Sequence, residues 1–310
     1  MKWFRSTLFA VLATATVLGA APALGQKIIV GVSPTAQFVP VMVAKDKGIF
    51  QRNGLDVDVT LLQSGAQTPV ALQSGSIQVG SMSAPALLQS VDSGLDMVVI
   101  AGGGLARKTD KNYAVIAAAN SNITSPADFA GKRVAVDGIG SFFYVLFREW
   151  LTVNKVDYKG LKLTETPHPT MGDVLRSGNV DAVMTSDPFL ARIIEAKTHG
   201  KIFYMAEDMP DSIAPFIYAA SGAWARSKPA EVAAFRRSIA EAMNIVNTDP
   251  DAAKESYGKF VKVPPAAIAA IKFNYLDPAT GPASLQPWIE IMTRQGALRT
   301  PIVASKLFVN

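Results

Sequence analysis

Short β-branched runs alternate with helical stretches along this chain, and the alternation comes round twice. Ile28–Val32, Leu55–Val59, Ile77–Ser81 and Met97–Ala101 read as strands, and Phe38–Lys47, Thr68–Gln73 and Ala84–Ser93 as helices, the first ended by Gly48. Near-continuous apolar strands joined by helices of this size build a largely parallel sheet with helices on its faces, so the fold class is α/β. The run Leu72 to Pro85 is echoed by Leu175 to Pro188: a helix end, a Ser-Gly stop, a strand, a Ser-containing turn and a proline. Lys27 to Phe38 is echoed by Lys132 to Phe143, and the two offsets, 103 and 105, are nearly equal. Any two strand–turn–helix units look somewhat alike, but the held spacing favours a duplicated lobe, and one period this long is not a solenoid.

The rest of the chain then returns to the first lobe. Tyr113–Ala118 and Ile213–Ala220 are apolar strands flanking the second lobe and read as the crossovers, hence as hinge strands near 113–118 and 213–220. The expected division is 26–115 with 216–310 as lobe 1, and 116–215 as lobe 2. Glu231–Val246 is an amphipathic helix with Val232, Phe235, Ile239, Met243 and Val246 on one face. Pro265–Phe273 and Ser284–Arg294 read as further helices.

The N-terminus is of a different kind. Lys2 and Arg5 precede an apolar stretch from Leu8 to Leu18, and Ala23-Leu24-Gly25 offers small residues for cleavage, so residues 1–25 read as a secretory signal peptide. The apolar run is shorter than the ~20 residues a membrane span needs. Removal would take the net charge from +5 to +3, since 30 Lys+Arg lose two against 25 Asp+Glu. There is no cysteine, which excludes a disulfide scaffold, a thiolate zinc site, a cysteine nucleophile and a lipid anchor at the cleavage site. An exported, unlipidated protein is expected in the periplasm, with monomer as the expected state.

Little in the chain suits catalysis. The two histidines, His168 and His199, show no metal-ligand spacing and read as surface residues. There is no Gly-x-Ser-x-Gly elbow, P-loop or His-Glu-x-x-His, and Gly138-Ile139-Gly140 breaks the dinucleotide pattern at Phe143. Basic residues are scattered, so nucleic acid is not an expected partner. What remains is polar groups at strand-to-helix turns, where open α/β sheets bind ligands: Ser33 and Gln37, Ser64 and Gly65, Ser81 and Ser83, Gly140 and Ser141, and Thr185 to Asp187. Helix N-termini at Ser83 and Ser141 would aim N–H groups and a positive dipole end at a small anion, while serving equally well as simple caps. Gly140 would let a ligand approach the backbone. Asp187 could bind a ligand amine or pair within the protein. Phe38, Phe142 and Phe143 read as part core, part cleft wall.

Ala44–Phe50 with Asn53–Val57, Ala71–Gly80, Ser125–Val136, and Gly178–Ala182 with Asp187-Pro188 together resemble the periplasmic solute-binding proteins of ABC importers for nitrate, sulfonates and taurine, a family similar in fold to the thiamine-pyrimidine precursor synthases. The resemblance covers roughly residues 27 to 305. Gln78 departs from it, standing where many relatives carry an acid. It implies a type II periplasmic-binding-protein fold of two hinged lobes closing on a small organic anion and docking on a membrane permease, with no cofactor. The ligand positions it carries over are Gln37, Phe38, Ser64, Ser83, Gly140, Ser141, Phe142 and Asp187, with Tyr218 as a weaker addition. An enzyme of the pyrimidine-synthase type would need clustered cysteines that this chain lacks. A ligand-sensing periplasmic domain is the other alternative.

Overall fold

A computed structural model describes residues 27–62, 65–111, 113–210, 214–273 and 275–309. The leader reading of residues 1–25, the candidate Ser64, and Ile213 of the second crossover lie outside the described residues.

Among the described residues ten strands form two sheets. They are β1 Ile28–Val32, β2 Val57–Leu61, β3 Val79–Ser83, β4 Met97–Gly102, β5 Ala114–Ala118, β6 Arg133–Val136, β7 Lys162–Glu165, β8 Ala182–Thr185, β9 His199–Tyr204 and β10 Phe216–Ser221. The first sheet has the order β2-β1-β3-β10-β4 and the second β7-β6-β8-β5-β9. In each, one strand runs against the other four: β10 is antiparallel to β3 and β4, and β5 to β8 and β9. The sheets are therefore mixed, although four strands of each share a direction. The protein is a two-lobed α/β molecule.

The echo in the sequence corresponds to one topology used twice. Val30 and Gly31 pair with Val79 and Gly80 in the first sheet, and Val134 and Ala135 pair with Ala182 and Val183 in the second. A side-chain device is shared as well. The Gln78 side-chain oxygen accepts from Ile29 N–H at 2.9 Å, and Asp181 accepts from Arg133 N–H at 2.8 Å. Both serve a backbone donor at the start of the corresponding strands β1 and β6. Gln78 thus does with an amide oxygen what Asp181 does with a carboxylate, which is why the departure at Gln78 leaves the scaffold intact.

The strands expected as crossovers lie inside the sheets. Ala114–Ala118 pairs on both sides within the second sheet, and Phe216–Ser221 on both sides within the first. Both are almost wholly buried, and a buried strand must place its N–H and C=O groups in a ladder. Residues 103–111 and 205–210 lead out of one lobe shortly before each of these strands.

Helix Pro229–Thr248 buries Val232, Phe235, Ile239, Met243 and Val246, the face the sequence marks, and Phe235 stacks on Phe50 with ring centroids 5.6 Å apart. The helix expected to reach Phe273 stops at Ala269. Helix Pro282–Arg294 reaches across to the second lobe. Its Trp288 ring lies 5.5 Å from Phe142, Arg294 pairs with Glu149, and Gln295 just beyond it donates to the Val145 carbonyl at 3.1 Å. One buried apolar cluster consequently runs through both lobes.

Candidate functional site

The carboxyl ends of β1, β3, β6 and β8 meet where the lobes face each other, and each end leads into a turn that begins a helix. On the first lobe the turn after β1 carries Ser33, whose N–H donates to Ser81 Oγ at 3.0 Å, and Gln37. Gln37 is 8% exposed, and its Nε2 has no hydrogen-bond partner. Leaving a buried amide donor unmade costs about 1–3 kcal/mol, so such a group is a strong pointer to a missing acceptor. Phe38 sits edge-on to Phe216 at 5.3 Å and to Tyr218 at 5.9 Å. Tyr218 is completely buried and packs between Phe38 and Phe235, so it backs the wall instead of forming it. Burial also holds its phenol far above the usual range. Ser83 caps helix Ala84–Asp92, accepting from Ala86 N–H at 3.2 Å.

On the second lobe Ser141 caps helix Phe142–Val153, accepting from Tyr144 N–H at 3.1 Å, and its hydroxyl donates to the Asp137 carboxylate. This departs from the expected anion site. The helix N-terminus and the serine already have an acid from their own lobe. Gly140 has φ +85°, and its carbonyl accepts from Gln89 Nε2 of the first lobe at 3.0 Å. A Cβ there would stand 3.0 Å from the Gln89 amide, so the close approach that glycine permits is made by the opposite lobe.

His168 is not on the surface. It lies between Phe189, stacked at 5.9 Å, and Phe143, edge-on at 5.1 Å, with Nδ1 3.1 Å from Thr185 Oγ1 and Nε2 3.7 Å from Asp137. Burial pushes its pKa down, Asp137 pulling the other way, and burial pushes the Asp137 carboxyl up. His199 opens β9.

Asp187 follows β8 and is 7% exposed. Burial raises its pKa, opposed by the N–H groups of Ala191 (3.1 Å) and Lys272 and by the Lys272 charge. It lines two adjoining cavities. The inner one, about 30 Å³, is bounded by Gln37, Gly104, Tyr113, Asp187, Phe216 and Lys272 among others, and holds about one water. The outer one, about 350 Å³, lies between helix Phe189–Glu195 and helix Pro265–Ala269, with Asp187 and Lys272 on the shared wall. Beside the inner cavity, Phe142 meets Phe216 at 4.7 Å and Tyr113 at 5.2 Å, closing an aromatic seam between the lobes.

The structure therefore brings Gln37, Phe38, Phe142 and Asp187 to one place. Gly140 and Ser141 lie on the lobe-to-lobe seam, Ser83 is engaged as a cap, and Tyr218 lies behind. Sequence reading missed Gln89, Tyr113, Asp137, Phe216 and Lys272. Tyr113 and Phe216 stand at the ends of the two crossing segments, which was the available signal. Lys272 sits in a stretch that reads as helix, and nothing local marks it.

The model of the family described as "NMT1/THI5 like" matches residues 35–253. The chain belongs to the NMT1/THI5-like family. A taurine-binding periplasmic protein of Escherichia coli (strain K12) is 25% identical over 254 residues, covering 80% of this chain and 73% of that one. The crystal structure of the periplasmic aliphatic sulphonate binding protein SsuA from Escherichia coli superimposes with a TM-score of 0.75 at 18% identity, covering 91% of this chain and 97% of that one. The periplasmic nitrate-binding protein NrtA from Synechocystis PCC 6803 gives 0.74 at 15% identity, with 90% and 84% covered. These likenesses place the fold of this NMT1/THI5-like chain among periplasmic binding proteins. No helix among its described residues is long and apolar enough to cross a membrane.

Proposed function

We propose that this chain is the solute-capturing component of an ABC importer, taking a small organic anion into the cleft between its lobes and delivering it to a membrane permease. The observation that carries the reading is the buried, partnerless Gln37 amide at the mouth of β1, facing a cavity shared by both lobes and both crossing segments. A taurine-binding relative and a sulphonate-binding structural neighbour support the anion class. Lobe 1 comprises 26 to about 113 and 216–310, and lobe 2 the residues between. The hinge lies in the segments that precede Ala114–Ala118 and Phe216–Ser221, where the strand order moves from one sheet to the other. Residues 1–25 direct export to the periplasm, where the protein works as a monomer without chemical turnover. Gln37, Phe38, Phe142 and Asp187 contact the solute, with Ser64, Ser83, Gly140 and Ser141 around them.

Isothermal calorimetry against sulfonates, carboxylates and nitrate tests this, with NMR of the solute before and after. One-to-one binding of an unchanged solute is expected. Absence of binding across the panel, or conversion of the solute, would overturn it.

A further inference from the structure

The turn that carries Gln37 is fastened from far along the chain. Ser33 gives its N–H to Ser81 Oγ, Thr35 N–H donates to the Ser33 carbonyl at 2.8 Å, and Phe38 N–H donates to the Thr35 carbonyl at 3.1 Å. Pro34, between them, has no N–H to give. Its carbonyl accepts from the Tyr257 hydroxyl at 3.0 Å, across 223 positions of sequence. Tyr257 stands on helix Pro250–Phe260, and the same helix holds the far end of helix Val39–Asp46. There Ser256 Oγ and Lys259 Nζ both donate to the Asp46 carboxylate, at 2.9 and 3.0 Å. Segment 34–46 is thus gripped at both ends by one helix, with Tyr257 at the end that carries Gln37.

Tyr257 is completely buried and lines neither cavity, so it is not placed to touch a solute itself. A phenylalanine would fill the same space, and a buried hydroxyl is unfavourable unless it is bonded. What the hydroxyl adds is the tie to Pro34. Burial holds the phenol above its usual range, and the Asp187 charge adds to this, so it stays a neutral donor. Gln37, three positions beyond Pro34, is the buried amide whose Nε2 has no partner. Such a donor serves binding best when its backbone is already held, because otherwise binding must supply the ordering. We infer that Tyr257 is a positioning residue for solute capture: by pinning the Pro34 carbonyl, it keeps the Gln37 amide at the wall of the inner cavity. This rests on the solute-binding reading above and adds to it a residue that acts through Gln37.

Calorimetry with ethanesulfonate, propionate and nitrate tests it, on wild type, Tyr257→Phe, Ser256→Ala, Gln37→Ala and the double variant Tyr257→Phe/Gln37→Ala. For whichever compound binds, Tyr257→Phe should weaken binding about three- to tenfold, as for one lost hydrogen bond. Ser256→Ala loosens the same helix at its Asp46 end and should leave affinity within about twofold. Tyr257→Phe should likewise change affinity less than about twofold once Gln37 is already alanine, since the two residues act as one unit. Unchanged affinity in Tyr257→Phe, or an equal loss with and without Gln37, would overturn the inference and leave the solute-binding reading standing. Silence of all three compounds, and of larger sulfonates and carboxylates, would overturn both. Amide hydrogen exchange reads the tie without a solute: Phe38 N–H should exchange about tenfold faster in Tyr257→Phe than in Ser256→Ala, and equal rates would overturn the inference. If Tyr257→Phe fails to fold, the wild type decides, and a Phe38 N–H exchanging as fast as an exposed loop amide would overturn it.

Discussion

Removing Arg294 should destabilise the protein through the residue it leaves behind. Glu149 sits on helix Phe142–Val153 of the second lobe with its side chain 7% exposed. Its Oε1 accepts from Arg294 Nη2 at 2.5 Å, and its Oε2 has no partner. Breaking a fully buried pair from one side costs about 3–5 kcal/mol, because an unpaired charge remains in low dielectric. Half of the Arg294 side chain is in solvent, which screens part of the attraction, so Arg294→Met should cost about 2–3 kcal/mol. For a chain of this size that is a fall in Tm of roughly 3–5 °C. Replacing both members with apolar residues removes the stranded charge, so Glu149→Met/Arg294→Met should lie within about 1 kcal/mol of wild type. Urea unfolding of the four proteins gives the cycle, and a coupling of about 2 kcal/mol is expected. If the double variant is destabilised by the sum of the two singles, the stranded-charge argument is wrong.

Gly140→Ala forces a side chain into φ +85° and against Gln89, so it should lower Tm and also weaken solute binding, whereas Gln89→Ala, which adds no backbone strain, should weaken binding roughly fivefold with a smaller change in Tm. Ser141→Ala removes a helix cap and the hydroxyl given to Asp137; a loss of about 1 kcal/mol in urea unfolding is expected, with solute affinity changed less than threefold. The Asp128 carboxyl is held down to about 2 by the N–H and O–H groups of Thr124 and Ser125, against about 3.9 in the unfolded chain. Its contribution is therefore full above about pH 4 and fades as the pH falls toward 2. Asp128→Asn should flatten the acid limb of a Tm-against-pH curve, and an unchanged limb would show that Asp128 does not contribute.

The architecture was legible because its cause is local. Parallel strands buried on both faces must be continuously apolar, and Ile28–Val32 and Met97–Ala101 say so directly; the duplicated order follows from the held offset. Strand direction was less accessible. Nothing in Ala114–Ala118 or Phe216–Ser221 distinguishes a crossover from an interior antiparallel strand of a sheet, since both read as short apolar runs. At the site, the turns after β1, β6 and β8 were visible because α/β sheets put ligands there. What each turn residue bonds to was not, because it depends on residues far along the chain: Gln89 reaching Gly140, or Asp137 claiming Ser141. His168 failed for the same reason. Its loop looks exposed in sequence, and Phe143 and Phe189 enclose it in space.

The two lobes are copies in topology but not in chemistry, and that difference is what a duplicated fold makes available. Gln37 and Ser141 occupy corresponding turns, as do Ser83 and Ser186, separated by 104 and 103 residues. In the first lobe the turn ends in an amide with a donor to spare. In the second the equivalent serine is bound to its own aspartate. The first lobe's turn thus keeps an unmade donor beside the inner cavity, while the second lobe's turn is already supplied with negative charge. A symmetric pair of walls would hold a solute in either direction. Walls of unlike polarity favour one direction.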